Sequence, residues 1–152
     1  MTTLHPYSGN SADRVAALVN AKNTLALQYG VDFTLGLPQD YSDSQGRNTK
    51  VVLTPTDATY STSELHYWRL PLTVLNQLPV GSIQKVAIPA VPFTIHGIID
   101  AINAALGINL SINEVQDQTY TTEQDSYPLT ILNNVSYAWI DSDFTFAAQF
   151  PA

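Results

Sequence analysis

The stretch from Phe93 to Leu110, FTIHGIIDAINAALGINL, leaves this chain the fewest choices. Ile95, Ile98, Ile99, Ile102 and Leu106 recur at helical spacing, so a helix here carries one broad apolar face that must be covered. Thr94 stands at its start, where a side-chain oxygen accepts from a first-turn N–H that has no partner inside the helix. Gly107 stands at its end, where the backbone turns left-handed most cheaply at glycine. Asn103 falls in the last turn. Its amide competes for backbone groups, which makes it poor inside a helix. At this place it is expected to bind the backbone of the following segment and fix the helix exit.

The same pattern occurs 83 residues earlier. Ser11 stands where Thr94 stands, Val15 where Ile98 does, Val19-Asn20-Ala21 matches Ile102-Asn103-Ala104, and Leu27 matches Leu110. A second echo, offset by 79, sets Val51-Val52-Leu53 to Tyr67 against Thr130-Ile131-Leu132 to Phe146. Offsets that differ by four residues are what one change of loop length between related halves leaves behind. The expectation is an internal duplication with pseudo-twofold halves, about 11–80 and 81–152, preceded by an arm, residues 1–10. The expected fold class is α+β: two helices packed on mostly antiparallel strands in one domain, 11–152. Ile98, Ile102, Leu106, Leu132 and Phe144 are expected to share the core, and the first helix to turn Val15, Leu18 and Val19 inward.

Between the helices the spacing predicts strands. Leu25, Leu27 and Tyr29, then Val31, Phe33 and Leu35, alternate about Gly30. After a polar loop, Gly36 to Asn48, residues 49–54 and 60–70 read as a hairpin across Pro55-Thr56-Asp57-Ala58. Pro71 to Leu78 suits a short helical turn, and Ile83 to Ile88 another strand. Leu110 to Val115 follows as a strand, and Leu129 to Leu132 is expected to pair with Trp139 to Phe146.

Composition bounds the partners. With 152 residues the chain suits one ordinary domain. Its net charge of −7 speaks against nucleic acid, which needs clustered Lys and Arg. The charge is uneven: residues 1–84 hold five basic and six acidic side chains, whereas 85–152 hold Lys85 against seven acids. A basic partner is therefore expected on the second half. There is no cysteine, so neither disulfides nor thiolate metal sites arise. The apolar run 86–99 is broken by Pro89, Pro92 and His96, too short for a bilayer, and the first residues lack a signal-peptide pattern, so no membrane and a cytoplasmic origin are expected.

Catalytic patterns are scarce. His5, His66 and His96 have no second ligand at metal spacing. Glu64 and His66 share a strand face and are the one acid–base candidate. The loop Asp40 to Gly46 lacks the closing glutamate of a calcium loop, and Asp141 and Asp143 merely face the same way. No GxSxG serine and no glycine-rich phosphate cradle appears. The expectation is a protein without catalytic, cofactor or metal residues, its interaction residues being Leu4, His5 and Tyr7 of the arm and Phe150 near the end.

The ordered pattern resembles the small module that recurs, singly or in tandem, in virion structural proteins of large tailed bacteriophages. The residues carrying the resemblance are Asn20-Ala-Lys-Asn23 with Leu25 and Leu27, Gly46-Arg-Asn-Thr-Lys-Val51, and Tyr67-Trp-Arg-Leu70. Ile102-Asn-Ala104 with Leu110, Ser136-Tyr-Ala-Trp139 and Phe144-Thr-Phe146 complete it. The resemblance implies a non-enzymatic virion part, such as a decoration, neck-collar or tail component. It would be present in many copies or as a homo-oligomer and assembled with other virion proteins. A second class stays open: a carbohydrate-binding or host-recognition module would expose a row of aromatics, for which Tyr60, Tyr67, Trp68, Tyr137 and Trp139 are the candidates.

Overall fold

The computed structural model describes residues 11–152; the expected arm, with Leu4, His5 and Tyr7, lies outside the described residues, as does the side chain of Ser11. The first helix, α1 (Ser11–Asn23), buries Ala12, Val15 and Ala16, with Val19 half-buried behind them. That face follows the i, i+3, i+4, i+7 spacing from Ala12. Leu18 falls off it and is 50% exposed, which corrects the inward placement expected of it. No strand forms over Leu25 to Tyr29. Leu25 is 48% exposed, and the chain instead turns back at Gly30, whose φ is +83°.

The first sheet is built on β3 (Thr49–Pro55). β1 (Phe33–Leu35) pairs antiparallel with its end, and β2 (Gln39–Asp40) with its start. β4 (Ser63–Tyr67) runs antiparallel along it, Val51 opposite Leu65. Thr49, Val51 and Leu53 point inward and Val52 outward, as strand alternation requires. Tyr60 lies outside the strand and is 70% exposed.

β5 (Leu70–Pro71) leads into a 3₁₀ turn, Leu72–Gln77, that buries Leu72 and Leu75. Only Val86–Ala87 of the strand expected near 83–88 forms, as β6, followed by β7 (Phe93–Thr94). The central helix opens with a 3₁₀ turn, His96–Ile98, and continues as α2 (Ile99–Leu106). Thr94 Oγ1 accepts from the Gly97 N–H at 3.0 Å, and Gly107 ends α2 at φ +69°. Ile95, Ile98, Ile99, Ile102 and Leu106 are all buried.

Beyond α2 the strand expected from Leu110 to Val115 shrinks to one bridge, Val115 to Ile131. Ser111 and Glu114 close a capping box there, and a 3₁₀ turn, Ile112–Glu114, takes the place of extended chain. β8 (Thr119–Tyr120) pairs with β7, and β9 (Ser126–Pro128) pairs antiparallel with β11 (Thr145–Gln149). The Leu129 N–H extends that ladder to Phe144 O at 3.0 Å. The other end of the expected hairpin does not form: β10 (Trp139–Ile140) leaves it to pair in parallel with β5. β11 likewise pairs in parallel with β6, and the remaining five strand pairings among the described residues are antiparallel.

The chain is thus a mixture of helix and sheet, mostly short strands with a few short helices. The main core gathers Ile98, Ile102, Leu106 and Phe144 with Tyr127, Leu129, Ile131 and Phe146. Leu132, expected among them, is only half-buried and stands outside that cluster. Alternation from Tyr127 through Leu129 puts Ile131 inward, so the expected phase is off by one residue. Smaller clusters under α1 join Val15 to Val51 and Tyr67, and Ala16 to Phe33 and Leu53.

Asn20 and Asn103 make the same contact. The Asn103 amide donates to Leu110 O at 2.8 Å while its Oδ1 accepts from the Leu110 N–H at 2.8 Å. Asn20 grips Leu27 in the same two bonds, 2.8 and 3.0 Å long. Each helix exit is clamped seven residues on. Pairing then follows in one order: the Gly36 N–H donates to Val52 O at 2.8 Å, and the Gln116 N–H to Thr130 O at 3.0 Å.

Candidate interaction surface

Alternation at the end of β4 decides the most distinctive surface. Tyr67 and Arg69 point inward, so Trp68 between them points out and is 55% exposed. Trp139, which lies among core residues, is buried. The aromatic row considered for a glycan is therefore divided: Trp68 and Tyr60 are exposed, Tyr137 is half-buried, and Tyr67 and Trp139 are buried.

Beside Trp68 runs a groove of about 660 Å³ between α1 and the β4 end. Arg14, Leu18 and Lys22 line it from α1 at successive i+4 positions, which share one helix face. Gln45 and Arg47 line it from the loop before β3, and His66 from β4. That loop is set by Asp43, whose carboxylate accepts from the N–H of Gln45 and of Arg47 and pairs with the Arg47 guanidinium at 2.6 Å. The Asp43 oxygens are thereby used within the loop, which leaves no calcium-loop geometry there.

Glu64 and His66 do meet, at 2.7 Å, and the hydrogen bond from His66 holds the Glu64 carboxyl below its ordinary range. His66 also stacks on Tyr41 with ring centroids 4.0 Å apart. The Glu64 bond and the Tyr41 stack together orient His66 at the groove wall. Among the described residues no group of three or more His, Cys, Asp or Glu is placed to hold a metal ion. Nor is any described helix long and apolar enough to cross a membrane.

Behind the groove lies a buried polar chain that sequence patterning passes over. Arg69 is buried, and burial pulls its pKa down. Its Nε donates to Thr49 Oγ1 at 2.7 Å, and its Nη1 to Asn133 O and to Ser136 O, the latter at 2.9 Å. Ser136 Oγ donates in turn to the buried Glu114 at 2.8 Å. Residues from both ends of the chain are thus tied through one guanidinium. The signal in the sequence was slight: Arg69 shares a strand face with Tyr67, a place where charge is rarely buried unless paired. Tyr67 itself donates to Tyr137 O at 2.7 Å, and burial raises its phenol far above the usual value.

Phe150, expected as an interaction residue, is partly packed into the core. It is half-buried against Phe93 and Tyr127, with centroids 6.5 Å from each, at the rim of a shallow groove with Pro89 and Pro151. Lys22, Arg47 and Trp68 are the surface residues that sequence reasoning did not assemble. The Arg14, Leu18, Lys22 stripe was legible as one helix face, but its position opposite Trp68 was not.

Residues 5–146 match the model of a family of unknown function, DUF7941, and the chain belongs to that family. No curated protein and no solved structure matches it.

Proposed function

We propose that the protein is a non-enzymatic structural component of a tailed-bacteriophage particle, built from two related halves and assembled with other virion proteins. The observation that carries this reading is the asparagine clamp made twice, Asn20 on Leu27 and Asn103 on Leu110. It supports the tandem form of the module that the sequence resembles. The order of pairing after each clamp supports it further, since the segments after α1 and α2 meet β3 and residues 130–131 in matching ways. On this reading each half is a helix laid on mostly antiparallel strands. Two tests apply. Segments 11–27 with 49–55 and 63–67 should superpose on 94–110 with 127–133 and 142–146 under one rotation in an experimental structure; hairpins that point elsewhere overturn the duplication. Mass spectrometry of gradient-purified particles, from cultures that make the chain, should find it at fixed stoichiometry. A chain that stays in the soluble fraction overturns the virion reading.

The exposure of Trp68 favours a second reading, a carbohydrate-binding or host-recognition module, because an exposed indole beside Gln45 and Arg47 suits stacking on a sugar face. A glycan array decides between them. Binding that Trp68→Ala abolishes supports recognition, and an array without signal removes it.

A further inference from the structure

The groove beside Trp68 concentrates the charge that the rest of the chain lacks. Its thirteen lining residues include three of the six lysines and arginines, Arg14, Lys22 and Arg47, together with His66, and no carboxylate. Yet acids outnumber these cations 13 to 6 over the whole chain. The nearest acids pair with groove residues, Asp43 with Arg47 at 2.6 Å and Glu64 with His66 at 2.7 Å, so among the described residues Lys22 is the lining cation with no acid against it. Between the cations lie Val15, Leu18, Leu70 and Trp68, so the groove offers an apolar bed within a positive rim. Leu18 at 50% and Trp68 at 55% exposure leave much of that bed in water. An occupant that is acidic and brings uncharged surface covers both.

The chain carries such a segment at its other end. Thr121 to Asp125, between β8 and β9, is exposed at all five positions and contains Glu123 and Asp125. Neither side chain has a hydrogen bond or ion pair among the described residues. By contrast Asp117 accepts from the His96 N–H at 2.9 Å and Asp141 from the Ile131 N–H at 3.1 Å, so those acids are already engaged. No Lys or Arg follows Lys85, and nothing nearby in sequence offsets the loop.

We propose that the groove is the docking site for the 121–125 loop of a second copy of this chain, with Glu123 and Asp125 against Lys22 and Trp68 covered by the loop. Complementary potentials of this kind set register and speed encounter. The two surfaces differ, so the contact is head to tail. Each copy that offers its groove still has a loop to give, and repetition closes a ring or extends a filament. The inference rests on the charge layout and not on the virion reading. A chain that associates in this way but is absent from particles overturns that reading and leaves this one standing.

The experiment uses the full chain, followed by sedimentation velocity across a range of concentrations at low and high salt. One variant alters the groove, Lys22→Gln with Trp68→Ala; the other alters the loop, Glu123→Gln with Asp125→Asn. All four positions are exposed, and circular dichroism checks that both variants fold. Wild type should grow in mass with concentration, and salt should weaken this by screening. Each variant alone should associate at least tenfold more weakly. An equimolar mixture should give a one-to-one pair and nothing larger, because one intact groove and one intact loop remain between them. A wild type that stays monomeric, variants that associate as wild type does, or a mixture that forms no pair overturns the proposal. So does a monomer whose Trp68 instead binds a glycan.

Discussion

Asn103 holds Leu110 by both amide groups, and Leu110 is buried. Asn103→Ala therefore strands a backbone donor and acceptor away from water, which costs about 2 kcal/mol. Asn20→Ala should cost less, about 1 kcal/mol, because Leu27 is only half-buried and water can replace the lost partner. Urea denaturation reads both, and unchanged midpoints would show that the clamps carry no stability. Tyr67 sets a pH dependence. Its folded phenol titrates well above the unfolded value near 10. The unfolded chain therefore loses its proton first, so stability is intact below about pH 10 and falls as pH rises beyond it. Urea midpoints at neutral and strongly alkaline pH should differ less in Tyr67→Phe than in wild type; an equal difference removes Tyr67 as the cause. The two kinds of residue differ in how far the sequence disclosed them. Asn103 acts on a residue seven places away, so its position in the helix was enough to read its task. Arg69 acts on carbonyls 64 and 67 residues away, and no local pattern carries that distance.

At the scale of elements, α2 was legible from its apolar face and its Gly107 stop, but its start was not: Thr94 lies in β7, and the 3₁₀ turn His96–Ile98 precedes the helix at Ile99. α1 was legible as a helix with Val15 and Val19 inward, and misread at one position: Ala12 and Ala16 complete the buried face, and Leu18 faces the groove. Short strands failed differently. Nothing within Thr130-Ile131-Leu132 says which side faces inward until Tyr127 and Leu129 are paired with β11 and Phe144. The corrected phase makes a sharp comparison. Ile131→Ala should destabilise by about 2–5 kcal/mol, as should Ile102→Ala, through lost burial and an unfilled cavity. Leu132→Ala, at a half-buried site, should cost about 1 kcal/mol, the transfer of little more than one methylene. Thermal or urea unfolding ranks the three, and a larger loss at Leu132 than at Ile131 would restore the phase first read from sequence. The Trp139–Ile140 strand could not be placed from sequence at all, since its partner is β5, about seventy residues away.

Over the whole molecule, the two halves are interlocked rather than set side by side. Arg69 reaches across to Asn133 and Ser136, and β10 adds to β5, where the Leu70 N–H donates to Ala138 O at 3.2 Å. On the duplication reading this cross-over has a consequence for the N-terminal segment. In the second half, β6 pairs in parallel with the end of β11, and the Ile88 N–H donates to Gln149 O at 3.0 Å. The offset of 83 sets residues 3–5 against 86–88 and Pro6 against Pro89. The flank of Leu70 that would receive residues 3–5 by this correspondence receives β10 instead. The place is filled by the chain's own second half. On the proposed virion reading, residues 1–10 are the arm that would serve a neighbour in the particle. A chain lacking residues 1–10 should accordingly melt within a few degrees of the full protein, because a shift of several degrees requires the loss of about 1 kcal/mol of folding free energy. On the proposed virion reading the same truncation should lower incorporation into particles sharply. Lost incorporation with stability retained supports a docking arm. Normal incorporation would remove the docking role, and a large fall in melting temperature would place the first ten residues in the fold of their own chain.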